Sequence, residues 1–121
     1  MKSLLLVAHG SRRAESNDEV RELVSRLETN ANGTFKRVAC AFLELAQPSI
    51  PDGLRQAIHA GADEIIVVPY FLSAGRHVVT DIPGEVEVVR AEYPDVTIKL
   101  AAYLGAAAGI VELLAGLAEQ V

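Results

Sequence analysis

The apolar residues of this chain fall into short continuous runs, separated by longer stretches in which they recur every three or four positions. Short runs of this kind are typical of strands buried on both faces of a parallel sheet, because neither side of such a strand meets water. Four strands are predicted on this basis, at residues 3–8, 36–42, 64–68 and 96–100.

The stretches that follow the first two strands are typical of amphipathic helices with N-terminal signals. A capping box at residues 16–19 precedes an apolar helical stripe, and residues 30–33 are expected to break this first helix. Ser49 is placed to cap the second helix, with Pro51 in the first turn, where its missing N–H is not needed. Gly61 is positioned to end that helix.

The third and fourth helices are predicted from the same periodicity. A long loop over residues 69–81 leads into the third helix, which is expected to start near Asp81 or Pro83. The fourth helix is predicted over residues 106–119 and is unusually apolar, which also favours an interface with a second copy of the chain. Its inward face is expected to carry Ile110, Leu113, Leu114 and Leu117.

Alternating strands and helices predict an α/β fold, an open parallel sheet of four strands with helices on both faces and right-handed crossovers. We expect strand order 2-1-3-4 and a single domain spanning residues 1–121. In that order the winding direction reverses between the first and third strands. Ligands of open α/β sheets bind beyond the carboxyl ends of the strands at such a switch point.

The composition fits one globular domain, since 50% of the 121 residues are apolar and 22% are charged. The formal net charge of -5 argues against nucleic acid as a main partner. The single cysteine excludes an internal disulfide and a thiolate metal cage. No segment approaches the ~20 apolar residues of a membrane span, and the N-terminal run is too short for a signal peptide. We therefore expect a cytoplasmic protein with no nucleic-acid or membrane partner.

Polar side chains follow three of the predicted strands where each strand ends. His9 directly follows the first strand, Glu44 lies just past the second, and His77 lies in the loop after the third. Each residue alone is also typical of an ordinary loop, but their shared position favours a common site. Two imidazoles and a carboxylate suit Fe(II), Co(II), Ni(II) or Zn(II), and imidazole is also a base near neutral pH. The pattern predicts metal chemistry, proton transfer or both.

The neighbours of these histidines suggest how an anionic ligand could be held. Gly10 and Ser11 form a tight turn whose backbone N–H groups can bind an anion, although the turn is neither a Walker loop nor a dinucleotide fingerprint. Arg12, Arg13 and Arg76 flank the same edge and are either solvated loop charges or carboxylate-binding groups. Asp81 is either a helix N-cap or an acceptor that orients the imidazole four residues before it.

Three segments together resemble the small class II tetrapyrrole metal chelatases, the sirohydrochlorin cobaltochelatase and ferrochelatase family. The first is Leu-Val-Ala-His-Gly-Ser-Arg at residues 6–12, and the second is Ala-Phe-Leu-Glu at residues 41–44. The third runs over residues 69–83 and includes Gly-Arg-His at residues 75–77. The three motifs occur in the family's order, and the chain is similar to its short, single-lobe form.

The resemblance implies a chelatase-like fold and a lyase that inserts a divalent metal ion into sirohydrochlorin or a related tetrapyrrole. The family's metal site maps onto His9, Glu44 and His77, with cobalt, iron or nickel as a substrate and no permanently bound cofactor. His9 and His77 would be the catalytic residues: we assign His77 as the proton acceptor, and His9 with Glu44 as the pair that holds the metal.

The resemblance also implies partners and a pathway. The short form pairs as a homodimer in the family, and the product would serve cobalamin or sirohaem biosynthesis. The macrocycle carries many carboxylates, so this acidic chain needs local cations to bind it. The expected tetrapyrrole contacts are Gly10, Ser11, Arg12 and Arg76.

Two other functions are weighed against metal insertion. A histidine phosphatase or phosphomutase also carries a strand-end histidine, but in an Arg-His-Gly motif, and here Ala8 replaces the arginine that would clamp phosphate. The second alternative is a non-catalytic metal- or tetrapyrrole-binding module on the same fold. A metal-insertion assay separates that module from a chelatase.

Overall fold

The protein is described by a computed structural model, which covers residues 1–30 and 33–121. All four predicted strands are present, with bounds that differ from the apolar runs by only a residue or so. The strands are β1 (Lys2–Ala8), β2 (Arg37–Phe42), β3 (Glu64–Pro69) and β4 (Thr97–Leu100).

The strands form one parallel sheet in the order β2-β1-β3-β4, which confirms the predicted topology. The central strand β1 pairs on one side with β2, where Leu6 lies opposite Cys40, and on the other with β3, where Leu6 lies opposite Val68. The winding therefore reverses between β1 and β3, and the loops that leave these strands border the crevice expected at a switch point.

The helices also follow the predicted order. They are α1 (Ala14–Asn30), α2 (Ile50–His59), α3 (Ile82–Glu92) and α4 (Ile110–Glu119). A π-helical turn, His77–Asp81, runs directly into α3, and a 3-10 turn, Leu104–Ala106, precedes α4. The break predicted at residues 30–33 falls partly outside the described residues. Among the helices of the described ranges, none is long and apolar enough to cross a membrane.

The two predicted N-terminal signals have different outcomes. The Ser49 hydroxyl accepts the Asp52 N–H at 3.2 Å and caps α2, as expected. The capping box at residues 16–19 is wrong as a helix start, because α1 begins earlier, at Ala14. Asn17 from that box instead accepts the Ser11 N–H at 2.9 Å and donates to the Ser11 carbonyl at 2.8 Å. The side chain thus ties the turn after β1 to the first turn of α1.

One face of the sheet, which we call the closed face, is covered by α2 and α3. The strands contribute Leu5, Val7, Ile65 and Val67 to it, and all four are fully buried. The helices contribute apolar residues that are equally buried; they include Ile50, Leu54, Ala57, Ile82, Val86 and Val89. This continuous apolar core fixes the start of α3 and the loop that leads into it.

The opposite face, which we call the open face, is covered by α1 alone. Leu4, Leu6 and Val38 from the sheet pack there against Val20 and neighbouring residues of α1. Cys40 belongs to this layer, and its partial burial raises the pKa of the thiol, so it remains a neutral apolar group.

The prediction that α4 packs inward is wrong. No residue of α4 is buried, and the four side chains Val111, Leu113, Leu114 and Leu117 are 60–68% exposed. The main contacts of the helix are with the 3-10 turn that precedes it. The apolar stripe exists as predicted, but the sheet of the same chain does not cover it.

Candidate functional site

The chain brings the segments after β1 and β2 together by backbone hydrogen bonds. The Leu43 N–H donates to the Ala8 carbonyl at 2.9 Å, and the Glu44 N–H donates to the His9 carbonyl at 3.0 Å. The parallel pairing of the two strands thus continues for two residues beyond their ends. As a result, the Glu44 side chain leaves the backbone beside that of His9.

Gly10 makes this close approach possible. Its φ of 94° lies in the left-handed region, and a Cβ built on it would lie 1.8 Å from the Glu44 carbonyl oxygen. No other residue fits without moving the Glu44 segment. The sequence predicted Gly10 as an anion-binding turn residue, but the structure shows a packing role that places Glu44.

His9 and Glu44 form a direct pair at the edge of the sheet. His9 Nε2 lies 2.7 Å from Glu44 Oε2, and the two side chains are 48% and 53% exposed. An ionised carboxylate can only accept, so the imidazole donates the shared proton. Both side chains are therefore accessible to a ligand, and a proton now occupies the position between the nitrogen and the oxygen.

His77 is held by a second carboxylate. His77 opens the π-helical turn, and its Nδ1 lies 2.8 Å from Asp81 Oδ2 at the end of the same turn. Asp81 makes no side-chain cap on α3, so the orienting role is observed and the N-cap is not. Because Nδ1 donates to the carboxylate, the neutral imidazole has its free lone pair on Nε2.

The two imidazoles meet in the crevice. The ring centroids of His9 and His77 are 4.7 Å apart, with an angle of 37° between the ring planes. The three predicted ligands, His9, Glu44 and His77, thus lie in one place. In the part of the chain that the structure describes, no three His, Cys, Asp or Glu side chains already stand at the spacing of a metal site. The half-exposed side chains would have to turn slightly to share an ion.

The crevice has an apolar side and an acidic side. On the apolar side, a cleft of about 440 Å³ is lined by Tyr70, Phe71, Leu72 and Val78 together with the two histidines. The acidic cleft, of about 460 Å³, is lined by Glu44, His77, Asp81 and Glu85, among others. Glu85 was not predicted from the sequence, although its position four residues after Asp81 places both on one helical face. His77 lines both clefts and therefore stands between a surface suited to a flat apolar ligand and one suited to a cation.

The remaining predicted contacts and the third histidine of the chain are placed as follows. The Ser11 N–H already donates to Asn17, so it is not free to hold an anion. Arg12 and Arg76 are exposed in the segments that carry His9 and His77, and no carboxylate among residues 1–30 and 33–121 lies within ion-pair distance of either. Arg13 instead pairs with Glu15 at 3.5 Å. His59 lies at the C-terminal end of α2, away from the strand ends that carry the site, with its Nε2 3.3 Å from the Tyr93 hydroxyl.

An open parallel sheet with two imidazoles and a carboxylate at its switch point defines the class: an α/β protein with a candidate metal centre. The CbiX family model matches residues 3–121. The chain therefore belongs to the CbiX family.

Curated relatives carry chelatase names. The chain is 34% identical over 121 residues to the sirohydrochlorin cobaltochelatase of Sulfurisphaera tokodaii, covering 100% of this chain and 94% of that protein. It is 35% identical over 114 residues to the sirohydrochlorin ferrochelatase of Priestia megaterium, covering 94% of this chain but only 42% of that protein. The chain thus spans less than half the length of that relative, and about half of several others.

Solved structures agree with the fold. A cobalamin (vitamin B12) biosynthesis CbiX protein from Marinobacter aquaeolei VT8 has a TM-score of 0.81 at 31% identity, covering 99% of this chain and 96% of that one. The sirohydrochlorin chelatase SirB from Bacillus subtilis subspecies spizizenii, in complex with cobalt, has a TM-score of 0.86 at 27% identity. There the match covers 99% of this chain and 50% of SirB.

Proposed function

We propose that this protein is a lyase that inserts a divalent metal ion, cobalt, iron or nickel, into sirohydrochlorin or a related tetrapyrrole. The observation that carries the proposal is the meeting of His9 and His77, with ring centroids 4.7 Å apart and Glu44 bonded to His9. The chelatase names of relatives that match most of the chain support the same activity. The metal is a substrate in this proposal, and the product serves cobalamin or sirohaem formation.

The metal side of the reaction is assigned to His9 and Glu44. A divalent ion would replace the proton that these two side chains share. His9 Nε2 and Glu44 Oε2 lie 2.7 Å apart and face the same position. Imidazole nitrogen and carboxylate oxygen suit Co²⁺, Fe²⁺ and Ni²⁺ alike. Metal binding would thus release a proton from the pair, and the acidic cleft beside Glu44 gives a hydrated cation its approach.

The proton side of the reaction is assigned to His77. Insertion into a free macrocycle requires that its inner N–H protons leave, and a positioned base accelerates such a transfer. His77 Nε2 carries the free lone pair because Asp81 holds Nδ1. The nitrogen that accepts the proton is therefore set by the carboxylate on the far side of the ring.

The tetrapyrrole is placed on the apolar side of the crevice. Tyr70, Phe71 and Leu72 offer a surface against which a flat macrocycle can lie beside the histidines. Arg12 and Arg76 are free to pair with its carboxylates, and guanidinium groups bind carboxylates well. We assign Gly10 and Ser11 to shaping this edge, since packing and the Asn17 bond already use them.

We also propose that the active form is a homodimer. The site side chains are about half exposed and the crevice is open, so one lobe does not enclose a large flat substrate. Reactions of this kind are favoured when the site excludes water. A second copy of the chain would supply the missing cover.

The test is metal insertion by the purified protein. Sirohydrochlorin is mixed with Co²⁺, Fe²⁺ or Ni²⁺ with and without the protein, and the absorption change of the macrocycle is followed. We expect insertion faster than the uncatalysed reaction for at least one metal, with saturation in both substrates. Tetrapyrrole or metal binding without faster insertion would contradict the proposal and favour the non-catalytic module.

A further inference from the structure

The apolar surface beside the histidines begins at a fixed point of the sheet. The Tyr70 N–H donates to the Val7 carbonyl at 2.7 Å, which extends the pairing of β3 with β1 past the end of β3. Further along, within the described ranges, no backbone N–H of residues 72–77 donates to another backbone group. The stretch that carries Leu72 therefore has little backbone support of its own before the π-helical turn.

A support for this stretch comes from the segment after β4. The Ala101 N–H donates to the Val67 carbonyl at 2.8 Å and extends the pairing of β4 with β3 by one residue. The chain then bends into the 3-10 turn, where the Gly105 N–H donates to the Phe71 carbonyl at 3.0 Å. The backbone at residues 70 and 71 is thus held by β1 on one side and by the 3-10 turn on the other.

The turn approaches the loop so closely that position 105 has no room for a side chain. A Cβ on Gly105 would lie 1.8 Å from the carbonyl oxygen of Leu72 and 2.6 Å from its carbonyl carbon. Both of these atoms belong to the backbone, so no change of rotamer relieves the overlap. Any other residue at this position would push the turn and the Leu72 segment apart by about 1 Å or more.

The residues supported in this way form the surface proposed for the macrocycle. The ring centroid of Phe71 lies 6.4 Å from that of His9, and the side chain of Leu72 is 72% exposed. Both residues line the apolar cleft together with the two histidines. A gap of 0.5–1 Å costs a quarter to a half of a dispersion contact. A shift of about 1 Å at Leu72 would therefore matter to a flat ligand that lies on this surface.

We propose that Gly105 is a positioning residue for tetrapyrrole binding. It acts through the backbone of residues 71 and 72, by allowing the 3-10 turn to set the distance between the apolar surface and the imidazoles. A flat macrocycle on this surface then lies within reach of His77 Nε2. This inference deepens the proposed function and rests on it.

The metal side of the site is supported by different contacts. The backbone of Glu44 is bonded to that of His9, and the imidazole of His77 is held by Asp81. None of these contacts involves the 3-10 turn. A substitution at Gly105 should therefore weaken binding of the tetrapyrrole and leave binding of the metal unchanged, which a general loss of structure would not do.

The first experiment compares Gly105→Ala with Gly109→Ala, a matched change at the start of α4. A Cβ on Gly109 would meet only Glu112 Oε2, at an ordinary contact distance of 3.9 Å. Sirohydrochlorin is titrated without metal, Co²⁺ is titrated without sirohydrochlorin, and insertion kinetics follow. For Gly105→Ala we expect the Kd and KM for sirohydrochlorin to rise about 10-fold, the scale of one lost hydrogen bond. Its Kd for Co²⁺ and its kcat should stay near wild type, and Gly109→Ala should match wild type throughout.

Circular dichroism and light scattering accompany these titrations. Wild-type affinity for sirohydrochlorin in Gly105→Ala would overturn the inference. A parallel loss of Co²⁺ binding would attribute the effect to the fold, and a change in mass would attribute it to association; either result would also overturn the positioning role.

The second experiment uses the wild-type chain alone and does not depend on whether Gly105→Ala folds. Because coupling is reciprocal, binding that requires the turn in place must also hold the turn in place. Amide hydrogen exchange of the Gly105 N–H should therefore slow about 10-fold when sirohydrochlorin is saturating, the same factor as in the titration. The Ala62 N–H, bonded to the Ala57 carbonyl at 3.0 Å at the amino end of the strands, is the reference and should not change.

Unchanged exchange at Gly105 in the bound protein would overturn the inference. A wild type that does not bind sirohydrochlorin would overturn both this inference and the proposed function. A wild type that binds it, shows both effects at Gly105 and inserts no metal would overturn the proposed activity and leave the positioning role standing.

Discussion

The two faces of the sheet differ in how completely one chain covers them. On the closed face, α2 and α3 bury Leu5, Val7, Ile65 and Val67 completely. On the open face, α1 leaves an apolar groove uncovered. Two segments of the site continue into the closed-face helices: the π-helical turn runs into α3, and the loop that holds Glu44 leads to α2. Two of the three site segments are thus anchored on the face that the chain completes, whereas the segment that carries His9 leads into α1 on the other face.

The largest effect is expected at the site itself, with no effect on how the two faces of the sheet are packed. His77→Ala removes the proposed proton acceptor, and loss of a general base typically slows a reaction about 10²–10⁴-fold. We expect the insertion rate to fall by that factor while the mass and circular dichroism stay those of wild type. Steady-state insertion kinetics measure the rate.

His59→Ala is the matched control, since it removes an imidazole at the end of α2, away from the site. It should insert metal at the wild-type rate. Near-normal insertion by His77→Ala would refute the assignment of the base. A mass change in that variant would show that the two faces are not independent.

A smaller effect is expected from Asp81→Asn. The side chain keeps its shape but no longer fixes which nitrogen of His77 holds the proton, and loss of such a partner typically costs about 10–100-fold. We expect the loss in kcat rather than in KM for the tetrapyrrole, with partial recovery in Asp81→Glu. Asp95→Asn is an exposed control of the same charge change. An equal loss of kcat in Asp81→Asn and Asp95→Asn would show that the effect comes from the change in net charge.

A still smaller effect concerns substrate binding at the crevice edge. Arg76→Ala should raise the KM for the tetrapyrrole several-fold with little change in kcat, because exposed charge pairs are worth about 0–1 kcal/mol each. The effect should shrink as salt is raised, since salt screens exposed pairs. Lys36→Ala removes a charge at the amino end of the strands, opposite the site, and should leave the KM for the tetrapyrrole unchanged. A KM effect of Arg76→Ala that is insensitive to salt would contradict a carboxylate contact.

The smallest effect lies on the closed face, where Arg55 of α2 binds Glu92 of α3 through two hydrogen bonds of 2.9 and 2.8 Å. These bonds lower the pKa of Glu92 below its ordinary value of 4.5. Because the folded-state pKa of Glu92 is lowered, its pair with Arg55 stabilises the fold above pH 4.5. This stabilisation is lost as the pH falls through the folded-state pKa and the carboxylate is protonated. Glu92→Gln should therefore lower Tm slightly at pH 7, and the difference from wild type should vanish on acidification.

Thermal melts from pH 7 down to about 3 test this dependence, a range that brackets the ordinary carboxyl pKa. Glu22→Gln, on the exposed side of α1, serves as the control and should shift Tm little at any pH. A Glu92→Gln difference that persists at the acid end would show that the loss comes from packing and not from the ion pair.

The sequence predicted the strand order and the three residues that meet at the switch point, because both depend on local patterns combined with general rules of parallel sheets. It predicted the apolar stripe of α4 and two uses for it, packing in the chain's own core and an interface with a second copy; the first is wrong, since no residue of α4 is buried. Periodicity reveals which side of a helix is apolar and carries no information on which molecule buries it.

Local signals failed where tertiary contacts decided the outcome. The capping box at residues 16–19 was read from short-range spacing, but Asn17 bonds instead to Ser11 across the turn. The two roles weighed for Asp81 could not be separated from the sequence, since both need the carboxylate at the start of α3. The π-helical turn settles the choice by placing that carboxylate on His77.

The central claim is that His9 and Glu44 take up the metal that is inserted. X-ray absorption of the Co²⁺-loaded protein without tetrapyrrole tests it most directly. We expect imidazole nitrogen and carboxylate oxygen in the cobalt shell at about 2.0–2.2 Å, as these ligands show in zinc sites, with the imidazole signal reduced in His9→Ala and unchanged in His59→Ala. A cobalt shell of water alone, or a spectrum that His9→Ala and Glu44→Gln leave unchanged, would contradict it.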